Sequence, residues 1–375
     1  MKLLHVYAGN LFGGIETLLV TLAKEQSLCM QMQHHFALCF EGRLAKELRS
    51  LDASVYHLGQ VRISHPWTVW RARLQLQQLL RQERFDVVIC HSCWPQAIFG
   101  SVVRVNHLPL VFWCHDVLNG RHPLEHWAKR VLPDLVITNS LYTQAAVPKL
   151  YPKVNSSPLY LPVAYTDIGN DSSIRHAVRA ELNTPDDAIV IIQASRLERC
   201  KGQNVLLSAL AQLRGLSGWK CWIAGGVQRP HEAEYLQELE MQAQQLGIAE
   251  RVLFLGQRND VPRLLAAADI HCQPNTGAET FGIAFVEALY ADLPVVTTAI
   301  GGAVEIVNDS CGRLVPPNDI NALSNILGFL ISHPSERAIL AAGGKLRAEY
   351  LCNPAKQLTQ LYNLLSKVVE YEAVA

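Results

Sequence analysis

Two carboxylates, Glu279 and Glu287, stand eight positions apart in Glu279-Thr280-Phe281-Gly282-Ile283-Ala284-Phe285-Val286-Glu287. The first comes after the run Ile270-His271-Cys272-Gln273-Pro274, which reads as a strand. The second lies in a helix that begins near Gly282 and runs toward Asp292. Were the interval wholly helical it would span about 12 Å, roughly the reach of a sugar joined through a diphosphate to a ribose. Carboxylates accept hydrogen bonds from vicinal hydroxyls, and a helix N-terminus between them offers unpaired backbone N–H groups to an anion. One segment can thus hold the hydroxyls at both ends of a nucleotide sugar.

Cations for the diphosphate are supplied by Ala194-Ser195-Arg196-Leu197-Glu198-Arg199-Cys200-Lys201-Gly202. Arg196 leaves a strand end and Lys201 opens the next helix, so a planar fork and a mobile point charge converge; a solvated surface pair is the competing reading. Gly13-Gly14-Ile15-Glu16 opens the first helix after the first strand. Paired glycines there let backbone approach an anion, although a plain tight turn would use them too. Phe281-Gly282 offers unobstructed backbone at a helix start, with a simple cap as the alternative. Gly301-Gly302 with Glu305 ends the next strand in similar fashion. His115, in Trp113-Cys114-His115-Asp116, ends a strand and can bond a sugar hydroxyl or steady developing charge. Asp116 would orient it or cap the next stretch of chain, and a purely structural histidine is the rival view. His91-Ser92 ends a neighbouring strand.

Other chemistries find little support. There is no GxGxxG with an acidic follower, which disfavours a dehydrogenase, and no HExxH or similar zinc spacing. Cys90-His91-Ser92-Cys93 is formally a CxxC but has no second pair. The ten cysteines scatter, several of them inside apolar runs, as buried reduced thiols do. No DxD pair is evident at a strand end, consistent with metal independence, and no cofactor is expected.

These segments need a scaffold, and 375 residues suit two α/β domains. Apolar runs at Leu3–Ala8, His35–Phe40, Ser54–Leu58, Asp86–Cys90, Leu110–Cys114 and Leu135–Asn139 alternate with amphipathic stretches. After a looser region from Tyr151 to Asp187, which includes a helical piece near Ser173–Glu181, the alternation restarts at Ala188–Ala194. This grammar predicts two Rossmann-like, doubly wound parallel-sheet domains facing a cleft, with ligands at the carboxyl ends of the strands. The boundaries read as 1–163, a linker 164–186, 187–353, and a last helix 354–375 crossing back to the first domain. No apolar run reaches the length of a bilayer span, and the opening residues read as a strand rather than a secretory signal, so a cytoplasmic protein is expected. Residues 1–165 hold 16 Lys and Arg against 10 Asp and Glu, a balance of +6, and the remainder carries −6. The basic half, with Trp67, Trp70, Arg71, Arg73, Arg81 and Arg84 near one helix, could meet an anionic acceptor or touch the inner membrane face peripherally; a solvated helix face explains the same residues.

Taken together these pieces resemble glycosyltransferase family 4, retaining enzymes of the GT-B fold, over nearly the whole length. The resemblance is carried by Gly13-Gly14-Ile15-Glu16, His115-Asp116, Arg196 with Lys201-Gly202, Glu279-Thr280-Phe281-Gly282 with Glu287-Ala288-Leu289, and Pro294-Val295-Val296 with Gly301-Gly302 and Glu305. It implies that Glu279 contacts the donor sugar, with the backbone of Phe281 and Gly282 nearby, and that Glu287 holds the ribose hydroxyls. Arg196 and Lys201 would neutralise the diphosphate, Gly14 would let the first domain close on it, with Gly13 also among the donor-binding residues, and His115 would touch the sugar. Gly256-Gln257-Arg258-Asn259 looks like the base-binding turn, which places Arg258 among the donor-binding residues. The sequence departs from the family at Tyr160-Leu161-Pro162-Val163, where Asn-Gly-Val-Asp is common, at Asp292 and at Ser195, both frequent glycine positions.

The resemblance further implies metal-independent transfer of a sugar from a UDP- or GDP-linked donor to a saccharide or lipid-linked acceptor, in polysaccharide or glycolipid synthesis. Attack would be front-face with retention, the leaving phosphate helping to deprotonate the acceptor, so no nucleophile is assigned. Nucleic acid is not an expected partner. The rivals are a GT-B nucleotide-sugar epimerase and a non-catalytic nucleotide-sugar-binding protein. The first would need acid/base carboxylates clustered in the first domain, and none is. The second sits poorly with intact Arg196, Lys201 and both glutamates.

Overall fold

The computed structural model describes residues 1–164 and 172–374. The chain divides into two compact units, Met1–Ala164 with Cys352–Ala375, and Tyr165–Leu351.

The first unit is built on seven parallel strands: β1 (Lys2–Tyr7), β2 (Gln33–Leu38), β3 (Ser54–His57), β4 (Val87–His91), β5 (Leu110–Cys114), β6 (Leu135–Thr138) and β7 (Ser156–Pro158), in the order β3-β2-β1-β4-β5-β6-β7. The central strands Val-Val-Ile-Cys-His and Leu-Val-Phe-Trp-Cys are buried at every position, the continuous apolar pattern of a parallel sheet covered on both faces. Helices Gly14–Lys24, Pro66–Gln82 and Cys93–Val105 connect them, and Leu76, Leu79, Ile98 and Phe99 pack with Leu4, Val6 and Val88 into the core. The last helix, Pro354–Val374, packs on the 3-10 turn Gln26–Cys29 of this unit. The Val163 amide donates to the Cys352 carbonyl at the point where the chain returns.

The second unit repeats the plan with six parallel strands: β8 (Ile189–Ala194), β9 (Trp219–Ala224), β10 (Val252–Gly256), β11 (Ile270–Gln273), β12 (Val295–Thr298) and β13 (Gly312–Val315), ordered β10-β9-β8-β11-β12-β13. Ile191, Leu206, Leu210, Ile223, Cys272 and Leu327 form its core. Both units are doubly wound Rossmann-like sheets, as the alternation of runs predicts.

Two local features differ from the sequence reading. Strand β7 lies in the region read as loose. Its three residues Ser-Ser-Pro carry no strand-forming side chain, and pairing along β6 (Val136↔Ser156) makes them a strand. Lys201 does not open a helix: it ends the 3-10 turn Arg199–Lys201, and Gly202 caps the helix Gln203–Gln212. Within segment 164–186, residues 165–171, including Gly169 and Asn170, lie outside the described residues. The helix there, Ser172–Glu181, is anchored to the second unit. Its Arg179 is fully buried, donating to the carbonyls of Ala267, Pro185, Asp186 and Ala188 and to Asp269 Oδ2 at 2.7 Å. A buried guanidinium is tolerable only when so fully paired, and removing a partner typically costs about 3–5 kcal/mol.

Candidate active site

Sequence-predicted residues gather at the carboxyl ends of strands in each unit. In the second unit, the loop after β8 is held from below by two fully buried amides. Gln193 Nε2 donates to the Lys201 carbonyl at 2.8 Å, and Gln203 Nε2 donates to the Arg196 carbonyl at 2.8 Å. Both also reach Ser195 Oγ. The two cationic residues are therefore tied together through their own backbone. Gly202, φ +72°, lies so close to β11 that a Cβ there would sit 1.9 Å from the Pro274 carbonyl oxygen. Only glycine fits, and the contact brings Lys201 against the loop that carries Glu279.

Lys201 Nζ and Glu279 Oε2 stand 2.5 Å apart, both side chains largely buried. Gln273 Nε2 also approaches Glu279 Oε2, at 3.4 Å. Arg196 pairs with Glu198, Nη1 to Oε1 at 2.8 Å. Each predicted cation thus has a carboxylate partner within its own unit.

Glu279 is placed by the chain behind it. It bridges Gly301 in a parallel fashion, and its carbonyl accepts from the Gly302 amide at 2.7 Å. A Cβ on Gly301, φ +67°, would lie 2.2 Å from the Glu279 oxygen, and one on Gly302 would lie 2.5 Å from that of Thr280. The glycine pair is the wall against which the Glu279 segment rests.

Helix Ile283–Tyr290 is capped by Gly282 at φ +106°, where a Cβ would strike the Phe285 ring at 2.3 Å. Cap geometry accounts for this glycine. The Phe281 ring is buried, so that residue can offer a ligand only its backbone. Phe285, Val286, Ala288, Leu289 and Tyr290 face the core, while Ile283, Ala284 and Glu287 share the partly exposed face. Among the described residues the Glu287 carboxylate has no hydrogen-bond or ion-pair partner. Burial lifts its carboxyl to about 7.

Arg258, placed with the donor-binding residues by resemblance, turns to carboxylates. Its Nε and Nη2 reach Asp260 at 2.8 Å, and Nη2 reaches Glu181 at 2.8 Å. These hydrogen bonds push the guanidinium pKa up. Its side chain braces the turn after β10 against helix Ser172–Glu181.

In the first unit, Gly13 caps helix Gly14–Lys24, and its amide donates to Glu16 Oε2 at 2.9 Å. Tyr7 Oη donates to Glu16 Oε1 at 2.8 Å. The buried Glu16 carboxylate therefore shapes the glycine loop from within. His115 comes just after β5 and is buried, which lowers its imidazole to about 3. Its Nε2 meets His91 Nδ1 at 3.0 Å. Asp116 does not orient it: the Asp116 carboxylate instead accepts from the Cys93 amide at the start of helix Cys93–Val105.

Several contributors escaped the sequence reading. Gly225-Gly226 stacks three strand-end loops, since Cβ atoms there would lie 2.1 Å from the Ser195 carbonyl oxygen and 2.5 Å from Gln257. A paired glycine directly after a strand was the available signal. Gln193, Gln203 and Gln273 gave none, because a glutamine in a strand or helix has no distinctive spacing. All ten cysteines are free, and Cys90 and Cys93 are both buried. Among the described residues no three His, Cys, Asp or Glu side chains are grouped to hold a metal ion, and no helix is long and apolar enough to cross a membrane.

Comparisons with known proteins bear on the family and the fold. The model for "Glycosyltransferase Family 4" matches residues 12–160, and that for "Glycosyl transferases group 1" matches residues 175–347. The chain is 27% identical over 324 residues to the human alpha-1,3/1,6-mannosyltransferase ALG2, covering 77% of this chain and 75% of that one. It is 26% identical over 321 residues to the GDP-mannose-dependent alpha-(1-6)-phosphatidylinositol monomannoside mannosyltransferase of Mycolicibacterium smegmatis, covering 80% and 82%. A crystal structure of Anabaena HepE in complex with UDP and glucose superposes with a TM-score of 0.85 at 25% identity, covering 98% of this chain and all of that one. The two parallel sheets are those of the GT-B fold, and the chain belongs to glycosyltransferase family 4.

Proposed function

We propose that the protein is a retaining, metal-independent hexosyltransferase. It would move a sugar from a UDP- or GDP-linked donor to a saccharide or lipid-linked acceptor in glycolipid or polysaccharide synthesis. The observation that carries the proposal is the Lys201–Glu279 pair together with the unpartnered carboxylate of Glu287 on the helix that follows Glu279. Without ligand, each charge of the pair satisfies the other. An arriving diphosphate draws the Lys201 ammonium and releases Glu279 to accept from a sugar hydroxyl, while Glu287 accepts from the ribose.

Breaking the sugar–phosphate bond builds negative charge on the diphosphate and positive charge on the ring. Arg196, Lys201 and the amides at the start of helix Ile283–Tyr290 are fixed dipoles and cations for the former. Gly13, Gly14 and His115 are assigned to the donor as well, His115 to its sugar. The HepE complex with UDP and glucose and the GDP-mannose-dependent relative support a nucleotide-sugar donor. The relatives named for mannosyl transfer support a glycan or lipid acceptor. We assign the reaction to the cytoplasmic side, with peripheral contact to the membrane.

A thermal-shift screen of UDP- and GDP-linked sugars identifies the donor, because a ligand that binds only the native state raises its stability. Transfer is then assayed with glycan and lipid acceptors in EDTA. An altered sugar from donor alone would instead establish an epimerase, and tight donor binding without turnover a binding protein. A strict manganese requirement would refute metal independence.

A further inference from the structure

Four histidines of the first unit form a line across its sheet. His34 lies on β2, His5 on β1, His91 at the end of β4 and His115 just past β5. The register places His34 opposite Leu3, His5 opposite Ile89, and His91 opposite Trp113. Each histidine therefore sits two residues further along its strand than its predecessor's partner. Because side chains alternate faces with period two, a stagger of two keeps all four rings on one face. The line climbs diagonally to the carboxyl edge, where it ends at His115.

The rings are joined nitrogen to nitrogen. His34 Nδ1 meets His5 Nε2 at 2.9 Å, His5 Nδ1 meets His91 Nε2 at 2.9 Å, and His91 Nδ1 meets His115 Nε2 at 3.0 Å. Burial lowers all four imidazoles, so each is neutral near pH 7 and carries one ring proton. Three links and four protons admit two arrangements. In one, every proton is on Nδ1 and His115 Nδ1–H points out of the line. In the other, every proton is on Nε2 and the spare N–H falls on His34. His34 Nε2 is buried and has no partner. An orphaned buried N–H is worse than an orphaned lone pair, so the first arrangement is favoured.

We propose that His34, His5 and His91 are positioning residues that set the tautomer of His115, so that it presents Nδ1–H as a fixed donor to an oxygen of the bound sugar. The ligand rests on the transfer reading above; the tautomer rests on the geometry alone. An isolated imidazole exchanges its proton between both nitrogens. The line removes that freedom before the ligand arrives, without placing a charge beside the sugar.

Long-range 1H–15N spectra of histidine-labelled protein at pH 7 test this, with signals assigned from single His→Gln variants. The expected result is a protonated Nδ1 and a bare Nε2 on all four rings. A protonated Nε2 on any of them overturns the proposal. His91→Phe should leave His115 a mixture of tautomers and slow breakdown of the nucleotide sugar about tenfold, the worth of one hydrogen bond. The affinity for the nucleotide alone should not change. His91→Gln, whose amide can accept from His5 and donate to His115, should restore the tautomer and most of the rate. An unaltered His115 tautomer in His91→Phe refutes the relay. Should that variant not fold, His5→Phe and the wild-type spectrum carry the test. Four Nδ1–H rings in a protein that transfers no sugar would uphold the relay and refute the assigned reaction.

Discussion

Lys201 Nζ rests 2.5 Å from Glu279 Oε2, joining a turn after β8 to a loop after β11 across 78 residues of sequence. The pair is mostly shielded from water, so each charge depends on the other. Losing one partner of such a pair costs far more than the pair itself contributes.

Lys201→Ala is therefore expected to do two things. It removes the ammonium from the diphosphate, lowering transfer by about two to three orders of magnitude. It also leaves Glu279 uncompensated, destabilising the fold by about 2–4 kcal/mol. Adding Glu279→Gln should recover most of the stability and none of the activity. Chemical denaturation and transfer assays on the single and double variants separate the two effects. Near-normal transfer in Lys201→Ala would remove that residue from the donor site.

Much of this was legible in the sequence, for physical reasons. Parallel strands buried on both faces must be written as continuous apolar runs, and Val87–Cys90 and Leu110–Cys114 are. The glycines at 202, 282 and 301 announce backbone that L side chains rarely adopt, and each has a positive φ. What stayed hidden depends on register and on the shape of turns. The pairing of Arg196 with Glu198 needs the conformation of the loop between them. Strand β7 is two serines and a proline that only an available sheet edge makes into a strand. The four histidines lie far apart in the chain, and the order β2-β1-β4-β5 alone aligns them.

The wall behind Glu279 is tested by Gly301→Ala. At φ +67° an L-residue is strained, and the new Cβ would lie 2.2 Å from the Glu279 carbonyl oxygen. Strain and overlap together should cost about 2–4 kcal/mol. Relief requires the Glu279 segment to move, so sugar transfer should fall more than nucleotide binding does. Gly215→Ala, with open space around its Cβ, is the control and should be nearly neutral. Equal melting temperatures for the two variants would show that the wall is compliant.

Helix Pro66–Gln82 turns Val69, Ala72, Leu76, Leu79 and Leu80 inward. Trp67, Trp70 and Leu74 stand outward at helical spacing and are 58%, 63% and 43% exposed, with Arg71 exposed beside them. Indole rings flanked by cations suit the interface of an anionic bilayer. The protein is expected to float with phosphatidylglycerol vesicles at low salt and to release as ionic strength rises. Trp67→Ala with Trp70→Ala should weaken binding about tenfold or more. Equal flotation with neutral phosphatidylcholine would argue against a charge-assisted surface.

Glu287 gives the site a pH dependence whose sign can be worked out. Burial raises its carboxyl from the ordinary 4.5 to about 7, so ionisation opposes folding. The destabilisation is absent below about pH 4.5, develops as pH rises, and is complete above about pH 7. Glu287 keeps some exposure, so we expect Glu287→Gln to stabilise the unliganded protein at pH 8 by only about 1–2 kcal/mol, and not at all at pH 4.5. Donor binding should run the opposite way. Two ribose hydroxyls, if they donate to the ionised carboxylate as proposed, lower its pKa, so binding would release a proton. Affinity for a nucleotide sugar, whose phosphate diesters do not titrate here, should weaken as pH falls below 7, by at most about tenfold per pH unit. Calorimetry in buffers of different ionisation enthalpy would measure that proton directly. In Glu287→Gln the binding should be weaker and flat with pH. A wild-type affinity equally flat between pH 5.5 and 8 would mean that this carboxylate does not touch the nucleotide.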